Sequence, residues 1–309
     1  MKFPYYSKNA LKALIPNILW HKVGSFLLAK ITSDQRASIE ERVSYYNKLT
    51  VAFAPKPEQQ QFSTVAAFKK TRGWTYFFDI KDVVHFFDPD FSFNYINGDV
   101  THVPNTPSFV KSRPIGSMNG NSVLLKLNKV RHFAFVKDKR KYQEKKDMVA
   151  WRGVGYQPHR QTVIKAFYNH PMCNIGQTKP CHGAPWEKEE MSKKEQLAYK
   201  FLLAIEGNDV ATNLKWAMSS NSLVMMSRPK FETWFMEGRL QPGIHYVELK
   251  DDYSDLIEKV NYYLSHEDEA LGIINNAHRW VDQFRDPQVE RMISLLVAER
   301  YFELTRKTS

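Results

Sequence analysis

The chain is poor in cysteine, with two residues in 309. Two cysteines cannot staple a fold, so no disulfide framework is expected and a reducing cytosol is the default compartment. It also lacks any apolar run of membrane-spanning length. The most apolar early stretch, Leu11 to Ile31, is interrupted by Pro16, His21, Lys22 and Lys30. No small-residue cleavage site follows a clean apolar core, so no secretory signal is expected. There is no Gly-x-x-x-x-Gly-Lys-Ser/Thr phosphate loop, no Gly-x-Ser-x-Gly nucleophile elbow, no internal repeat and no low-complexity tract. His170, Cys173, Cys181 and His182 lack the paired spacing of zinc sites, and two adjacent ligands struggle to reach one ion. Asp88-Pro89-Asp90 has the letters of a metal-holding pair, but Pro89 and the neighbouring Phe86, Phe87 and Phe91 read as a turn packed by aromatics.

What is present is a folded, soluble composition. Hydrophobic residues make up 43% and aromatics 14%, enough for one large domain or two medium ones. The net charge of +11 favours anionic partners: a nucleotide, a phosphorylated glycolipid, nucleic acid or an acidic membrane face. The charge is spread along the chain, with one dense basic run from Lys137 to Lys146 that reads as a solvated loop. Leu11, Leu14, Ile15, Ile18, Leu19, Phe26 and Leu27 fall at helical spacing, broken at Pro16. They fit core-packing helices or a basic amphipathic anchor on an anionic leaflet.

The most informative stretch runs from Lys200 to Met226. Two short apolar runs, Phe201 to Ile205 and Ser222 to Met226, flank a polar turn (Glu206-Gly207-Asn208-Asp209) and a helical segment, Val210 to Ser219. That pattern predicts a parallel β-α-β unit, whose ligands sit beyond the strand carboxyl ends. Asp209 is a candidate cap for the helix, with Lys215 as a nearby cation. Elsewhere, strands are expected at Thr75 to Ile80, Ser122 to Leu127, Phe133 to Lys137, Met148 to Arg152 and His245 to Leu249. A short helix or turn is expected at Lys81 to Phe87. Asp90 to Pro114 reads as a long irregular segment, and Ala54 to Gln61 as a turn or linker. Amphipathic helices are expected at Asp255 to Ser265, Asp268 to Phe284 and Pro287 to Leu304.

Two constellations could carry chemistry. Arg152, at the end of its strand, and Arg160 bracket Gly153 and Gly155. Guanidinium groups bind phosphate bidentately and glycine lets the backbone approach, so the group could clamp a diphosphate; each arginine alone would as readily pair with a surface carboxylate. Asp99, in Ile96-Asn97-Gly98-Asp99-Val100, is either a loop carboxylate able to act as general base or an ordinary turn residue. Lys111, Ser112 and Arg113 are candidate acceptor or phosphate contacts.

In order along some two hundred residues, these motifs resemble glycosyltransferase family 90, the CAP10 or LpsA-like lipopolysaccharide-modifying group, in its bacterial branch. The landmarks are Gly98-Asp99-Val100, Pro107 to Pro114, Lys126 to Phe133, Trp151-Arg152-Gly153 with Arg160, Tyr199-Lys200-Phe201, Glu206-Gly207-Asn208, Leu214-Lys215-Trp216, and His245-Tyr246-Val247 with Asp252. The resemblance implies an α/β chain of GT-B type, with two Rossmann-like lobes facing across a cleft. The expected divisions are 1–145 (acceptor lobe), 146–285 (nucleotide-sugar lobe) and 286–309 (a helix returning to the first lobe). It implies inverting transfer of a sugar from a UDP-sugar to a hydroxyl of a lipopolysaccharide core or related surface glycan, with no cofactor and no essential metal. By the same resemblance Asp99 is the base, while Arg152, Gly153, Arg160, Glu206, Gly207, Asn208, Asn213 and Lys215 meet the nucleotide sugar. Distant eukaryotic relatives carry arginine where this chain has Asn213, which leaves Lys215, Arg152 and Arg160 to neutralise the diphosphate. The bacterial setting comes from the resemblance; the basic charge fits an anionic glycolipid or oligosaccharide acceptor, a cytoplasmic location at the inner face of the inner membrane and peripheral contact with an anionic membrane. Two rivals are a non-catalytic glycan-binding protein on a transferase-like fold and a nucleic-acid-binding protein. The second is disfavoured because basic and aromatic residues do not interleave on a known module.

Overall fold

A computed structural model describes residues 2–13, 17–57, 61–71, 73–180 and 182–306. Leu14, Ile15 and Pro16 of the expected N-terminal helical face, and Cys181, therefore lie outside the described residues. The chain is a mixed α/β protein that folds as two compact units. One comprises the residues up to Arg131, the excursion Phe231–Met236 and the residues from Arg285 on; the other comprises His132–Lys230 and Glu237–Phe284. The first division thus falls at 131, earlier than the expected 145.

The first unit begins with helices α1 (Lys2–Ala13), α2 (Asn17–Ala29) and α3 (Ser33–Tyr46). The start of α3 is fixed by a capping box in which Thr32 and Gln35 satisfy each other's backbone amides. Then come β1 (Gln61–Thr64), α4 (Trp74–Val84), β2 (Ser92–Tyr95), β3 (Ser108–Val110), β4 (Ser112–Pro114), β5 (Ser122–Leu124) and the short α5 (Lys129–His132). The sheet order is β1-β2-β3-β5, with β1 antiparallel to β2 and the other pairs parallel.

Three expectations change here. Thr75 to Ile80 is not a strand but part of α4. Phe77, Ile80 and Val84 recur at helical spacing and are all buried, and that packed face outweighs the strand propensity of the aromatics. The segment from Asp90 to Pro114 is irregular only between β2 and β3. Phe133 to Lys137 forms no strand; it is held by Phe133 packing on Phe284 and by the Val136 amide donating to Ser219 Oγ at 3.0 Å.

The second unit carries β6 (Lys146–Gly153), α6 (Pro158–Phe167), β7 (Cys173–Gln177), α7 (Lys193–Gln196), β8 (Tyr199–Leu203), α8 (Leu214–Met218) and β9 (Leu223–Ser227). After β10 (Phe231–Thr233), which pairs antiparallel with β4 in the first unit, it resumes with β11 (Val247–Leu249), α9 (Leu256–Ser265) and α10 (Glu267–Asp282). The strand order is β11-β9-β8-β6-β7 and every pair is parallel. Parallel sheets are covered on both faces, which explains the apolar runs Phe201 to Leu203 in β8 and Leu223 to Met226 in β9. Val149, Trp151, Phe201, Leu203, Leu223 and Met225 form one core with Val163, Ile164 and Phe167 of α6 and the apolar faces of α9 and α10. The expected helix from Val210 shrinks to α8, with Asn213 and not Asp209 at its cap position. Asn213 Nδ2 donates to Leu203 O at 2.7 Å, tying that start to the end of β8. The last helix, α11 (Pro287–Arg306), packs in the first unit against α3 and α4.

Candidate functional site

In the second unit the chain leaves β6 outward to β7, then returns past β6 to β8 and on to β9. The adjacent strands β6 and β8 therefore mark the point where the winding reverses. In α/β sheets the loops beyond the carboxyl ends of two such strands, the crevice loops, are where ligands bind. The loop after β6 runs through Val154, Gly155, Tyr156 and Gln157 to Pro158, whose fixed φ suits the first position of α6. Gly155 is closely approached: a Cβ there would lie 2.5 Å from Ile164 Cδ1 and 2.6 Å from Gln177 Oε1, so those buried side-chain ends would have to shift.

Arg160 straps the two crevice loops together. Its Nη1 donates to Val154 O (2.7 Å), its Nη2 to Ile205 O (2.9 Å) and its Nε to Glu206 O (2.8 Å), and the guanidinium lies 5.4 Å from the Trp151 ring. His159 Nε2 also meets Glu206 O at 2.8 Å; a carbonyl can only accept, so Nε2 carries the proton in this contact. Gln157 Nε2 donates to Asn208 Oδ1 (3.1 Å), and the Glu206 carboxylate accepts from the Lys230 amide (3.0 Å). Arg160, Glu206, Gly207 and Asn208 are thus brought together. His159, Gln157 and Lys230 join them without having been singled out from the sequence. Pro158 was the available signal, because it marks the junction of loop and helix where Gln157 and His159 sit.

Arg152 goes elsewhere. Successive strand residues point to opposite faces, so Arg152 emerges opposite Trp151, while α6 and Arg160 pack on the Trp151 side. Arg152 donates to Asn174 O (2.7 Å), Asn174 Oδ1 (2.6 Å) and Glu189 O (3.1 Å). It lines a cavity of about 730 Å³ with Arg140, Lys146, Lys194 and Tyr199, and burial draws its guanidinium below the ordinary value. The expected clamp of Arg152 and Arg160 on one diphosphate is therefore corrected: the two lie on opposite faces of the sheet. Gly153 closes β6 between them. Lys215 is fully enclosed in α8, where its ammonium pairs with Glu237. From that position it meets a diphosphate only if the pair opens.

In the first unit Gly98 takes φ +110°, a left-handed value that a side chain rarely tolerates. The turn it makes presents Asp99, whose carboxylate is 31% exposed and receives the Nζ of Lys111, itself 3% exposed. Ser112 braces the same loop, since its hydroxyl accepts from Val100 N (3.0 Å) and donates to Val100 O (3.1 Å). Lys111 and Ser112 therefore support Asp99 from within. Arg113 is wholly buried and donates to Glu232 (2.7 Å), Ser122 O (3.0 Å) and Tyr45 O (2.7 Å). It cements β4 to β10 and to the end of α3, so the acceptor or phosphate contact expected of it is replaced by a structural one.

Among the described residues no group of three His, Cys, Asp or Glu is placed to hold a metal ion. Cys173 is buried, which pushes its thiol up to about 12 and leaves it unreactive at neutral pH. No helix among the described residues is long and apolar enough to cross a membrane.

The glycosyl transferase family 90 model matches residues 122–306. O-glucosyltransferase LpsA of Dichelobacter nodosus is 42% identical over 307 residues, covering 98% of this chain and 96% of that protein. Shorter similarities reach protein O-glucosyltransferase 2 of Danio rerio, 31% identical over 24% of this chain and 15% of the relative. Protein O-glucosyltransferase 3 of Homo sapiens is 28% identical over 34% of this chain and 20% of the relative. A family match across more than half of the chain, joined to similarity along nearly its whole length, shows that the chain belongs to glycosyltransferase family 90.

Proposed function

We propose that the protein is an inverting glucosyltransferase that moves glucose from UDP-glucose to a hydroxyl of a lipopolysaccharide core or related surface glycan, in a GT-B arrangement at the cytoplasmic face of a bacterial inner membrane. The observation that carries the reading is the similarity to a bacterial O-glucosyltransferase from end to end. The doubly wound sheet of the second unit, whose strand order reverses at β6/β8, supports the donor half of it.

In this mechanism Asp99 takes the proton from the acceptor hydroxyl. The freed oxygen attacks the anomeric carbon from the face opposite the diphosphate. The carbon–oxygen bond to the diphosphate breaks, and its electron pair leaves with UDP. Lys111, ion-paired with Asp99, fixes the base. Donor binding falls to the crevice loops: Arg160 holds their shape, while Gly153, Gly207, Asn208 and Asn213 give the backbone and amide groups that approach the nucleotide. Glu206 offers a carboxylate suited to sugar or ribose hydroxyls. Arg152 and Lys215 contribute through the sheet and core around the crevice. No metal step is included; the charge of the departing UDP falls to protein donors.

A donor screen tests the reading. The protein is incubated with UDP-glucose, UDP-galactose, UDP-xylose and UDP-N-acetylglucosamine, with and without chelator, and released UDP is measured. Release from UDP-glucose that survives chelation is the expected result. Release from none of the donors would remove the assignment, and loss on chelation would remove its metal independence.

A further inference from the structure

The first thirty-three residues contain five lysines and no aspartate, glutamate or arginine; the first acid is Asp34. Within this stretch α2 carries large apolar side chains turned to solvent: Leu19 is 51% exposed, Val23 42% and Phe26 58%. They recur at i, i+4 and i+7, so they form one stripe along the helix. Lys22 and Lys30 border that stripe and are exposed. The Lys30 ammonium sits 4.1 Å from the Phe26 ring centroid, and neither lysine has a carboxylate partner among the described residues.

The other side of α2 is already used. Trp20 packs edge-on to Phe86 and lies 4.4 Å from the His85 ring. Gly24 is buried so closely that a Cβ would fall 2.2 Å from Phe86 O. Turning the helix to bury its stripe would put a side chain into that gap. The apolar stripe is therefore held outward by the packing beneath it. A row of apolar groups flanked by long cationic side chains that are not ion-paired among the described residues matches a negatively charged bilayer surface: the apolar groups enter the acyl boundary and the lysines reach the phosphates.

We propose that α2 docks the protein onto anionic phospholipid bilayers through Leu19, Val23 and Phe26, with Lys22 and Lys30 on the headgroups. The proposal goes beyond the transfer reaction and does not rest on it, because it uses neither Asp99 nor the crevice loops.

Co-sedimentation of the full chain with vesicles tests it, with no sugar nucleotide present. Vesicles of phosphatidylcholine mixed with phosphatidylglycerol should pellet the protein, neutral phosphatidylcholine vesicles should not, and added salt should weaken the binding. Lys22→Gln/Lys30→Gln should lower partition roughly 30-fold. Leu19→Ser/Val23→Ser/Phe26→Ser should lower it on the order of 100-fold. These positions are exposed, and unchanged melting curves would show that the variants fold. Failure to bind anionic vesicles, equal binding to neutral ones, or serine variants that bind like the parent would overturn the proposal. So would a stripe substitution that converts a dimer to a monomer in sedimentation velocity, because a second copy would then be the occupant. UDP release on a water-soluble acceptor is measured separately, so loss of docking and loss of transfer are told apart.

Discussion

Replacing Lys215 with methionine separates two roles for that ammonium. The Lys215 side chain has no exposed surface and its partner Glu237 is 1% exposed. Lys215→Met keeps the length of the side chain and removes the charge, so the Glu237 carboxylate is left in the interior without it. Breaking one half of a buried pair costs about 3–5 kcal/mol, since the remaining charge keeps its desolvation penalty and loses its compensation. Against a total stability of about 5–15 kcal/mol for a typical domain, that loss brings the second unit close to unfolding at physiological temperature. Lys215→Met/Glu237→Leu removes both charges and leaves an apolar contact. It should regain most of the loss, because a buried pair is often matched by hydrophobic residues of similar volume. The assay is urea denaturation of the parent, both single variants and the double variant, arranged as a cycle, with UDP binding measured on each. The expected coupling energy is about 3 kcal/mol or more, with UDP affinity following the folded fraction. A Lys215→Met protein that kept its urea midpoint and lost only UDP affinity would refute this reasoning and assign the ammonium to the diphosphate.

Three further outcomes follow from single positions. Asp99→Asn should lower transfer by about 10²–10⁴-fold while leaving UDP binding intact, the loss typical of a general base; transfer at the parental rate would sink the assigned role. Gly155→Ala drives a methyl group against Ile164 and Gln177 and should cost about 1–3 kcal/mol, seen as a lowered melting temperature; an unchanged melt would mean the crevice loop yields freely. Burial holds the His85 imidazole at about 3 against an ordinary 6.5. Between those values the unfolded chain binds a proton that the folded chain refuses, so the contribution is full above pH 6.5 and is lost as pH falls toward 3. The loss is on the order of 4 kcal/mol. Urea midpoints at pH 7.5 and 5 should differ more for the parent than for His85→Gln, and equal differences would refute the assignment.

Much of the second unit was legible because its signals are local. Phe201 to Ile205 and Ser222 to Met226 are continuous apolar runs, as a sheet covered on both faces demands, and both become parallel strands. Helices α9 and α10, of 10 and 16 residues, show clear amphipathic spacing. The first unit was harder to read. Strands β3 and β4 are three residues each, too short to show an alternation, and they lie among prolines and asparagines that read as loop. Helix α4 was obscured by Tyr76, Phe77 and Phe78, whose strand propensity hid the spacing of Phe77, Ile80 and Val84.

The site divides along the same line between local and non-local information. A reversal in strand order puts the loops after β6 and β8 side by side, so a β-α-β reading suffices to group Arg160 with Glu206, Gly207 and Asn208. Where each cation points depends on register and packing instead. Trp151 and Arg152 are neighbours in a strand and must face opposite sides, a parity visible in the sequence. Which of those sides α6 covers is decided by Val163, Ile164 and Phe167 joining the Trp151 core. Once α6 takes that side, Arg160 follows Trp151 and Arg152 cannot. The pairings Lys215–Glu237 and Arg113–Glu232 have the same origin. A buried cation needs an acid close by, and the acid that serves can lie anywhere along the chain that the fold brings near. A cation therefore marks a phosphate contact only after its buried carboxylate partners have been accounted for, and here that accounting turns Lys215 and Arg113 from expected phosphate contacts into structural ones.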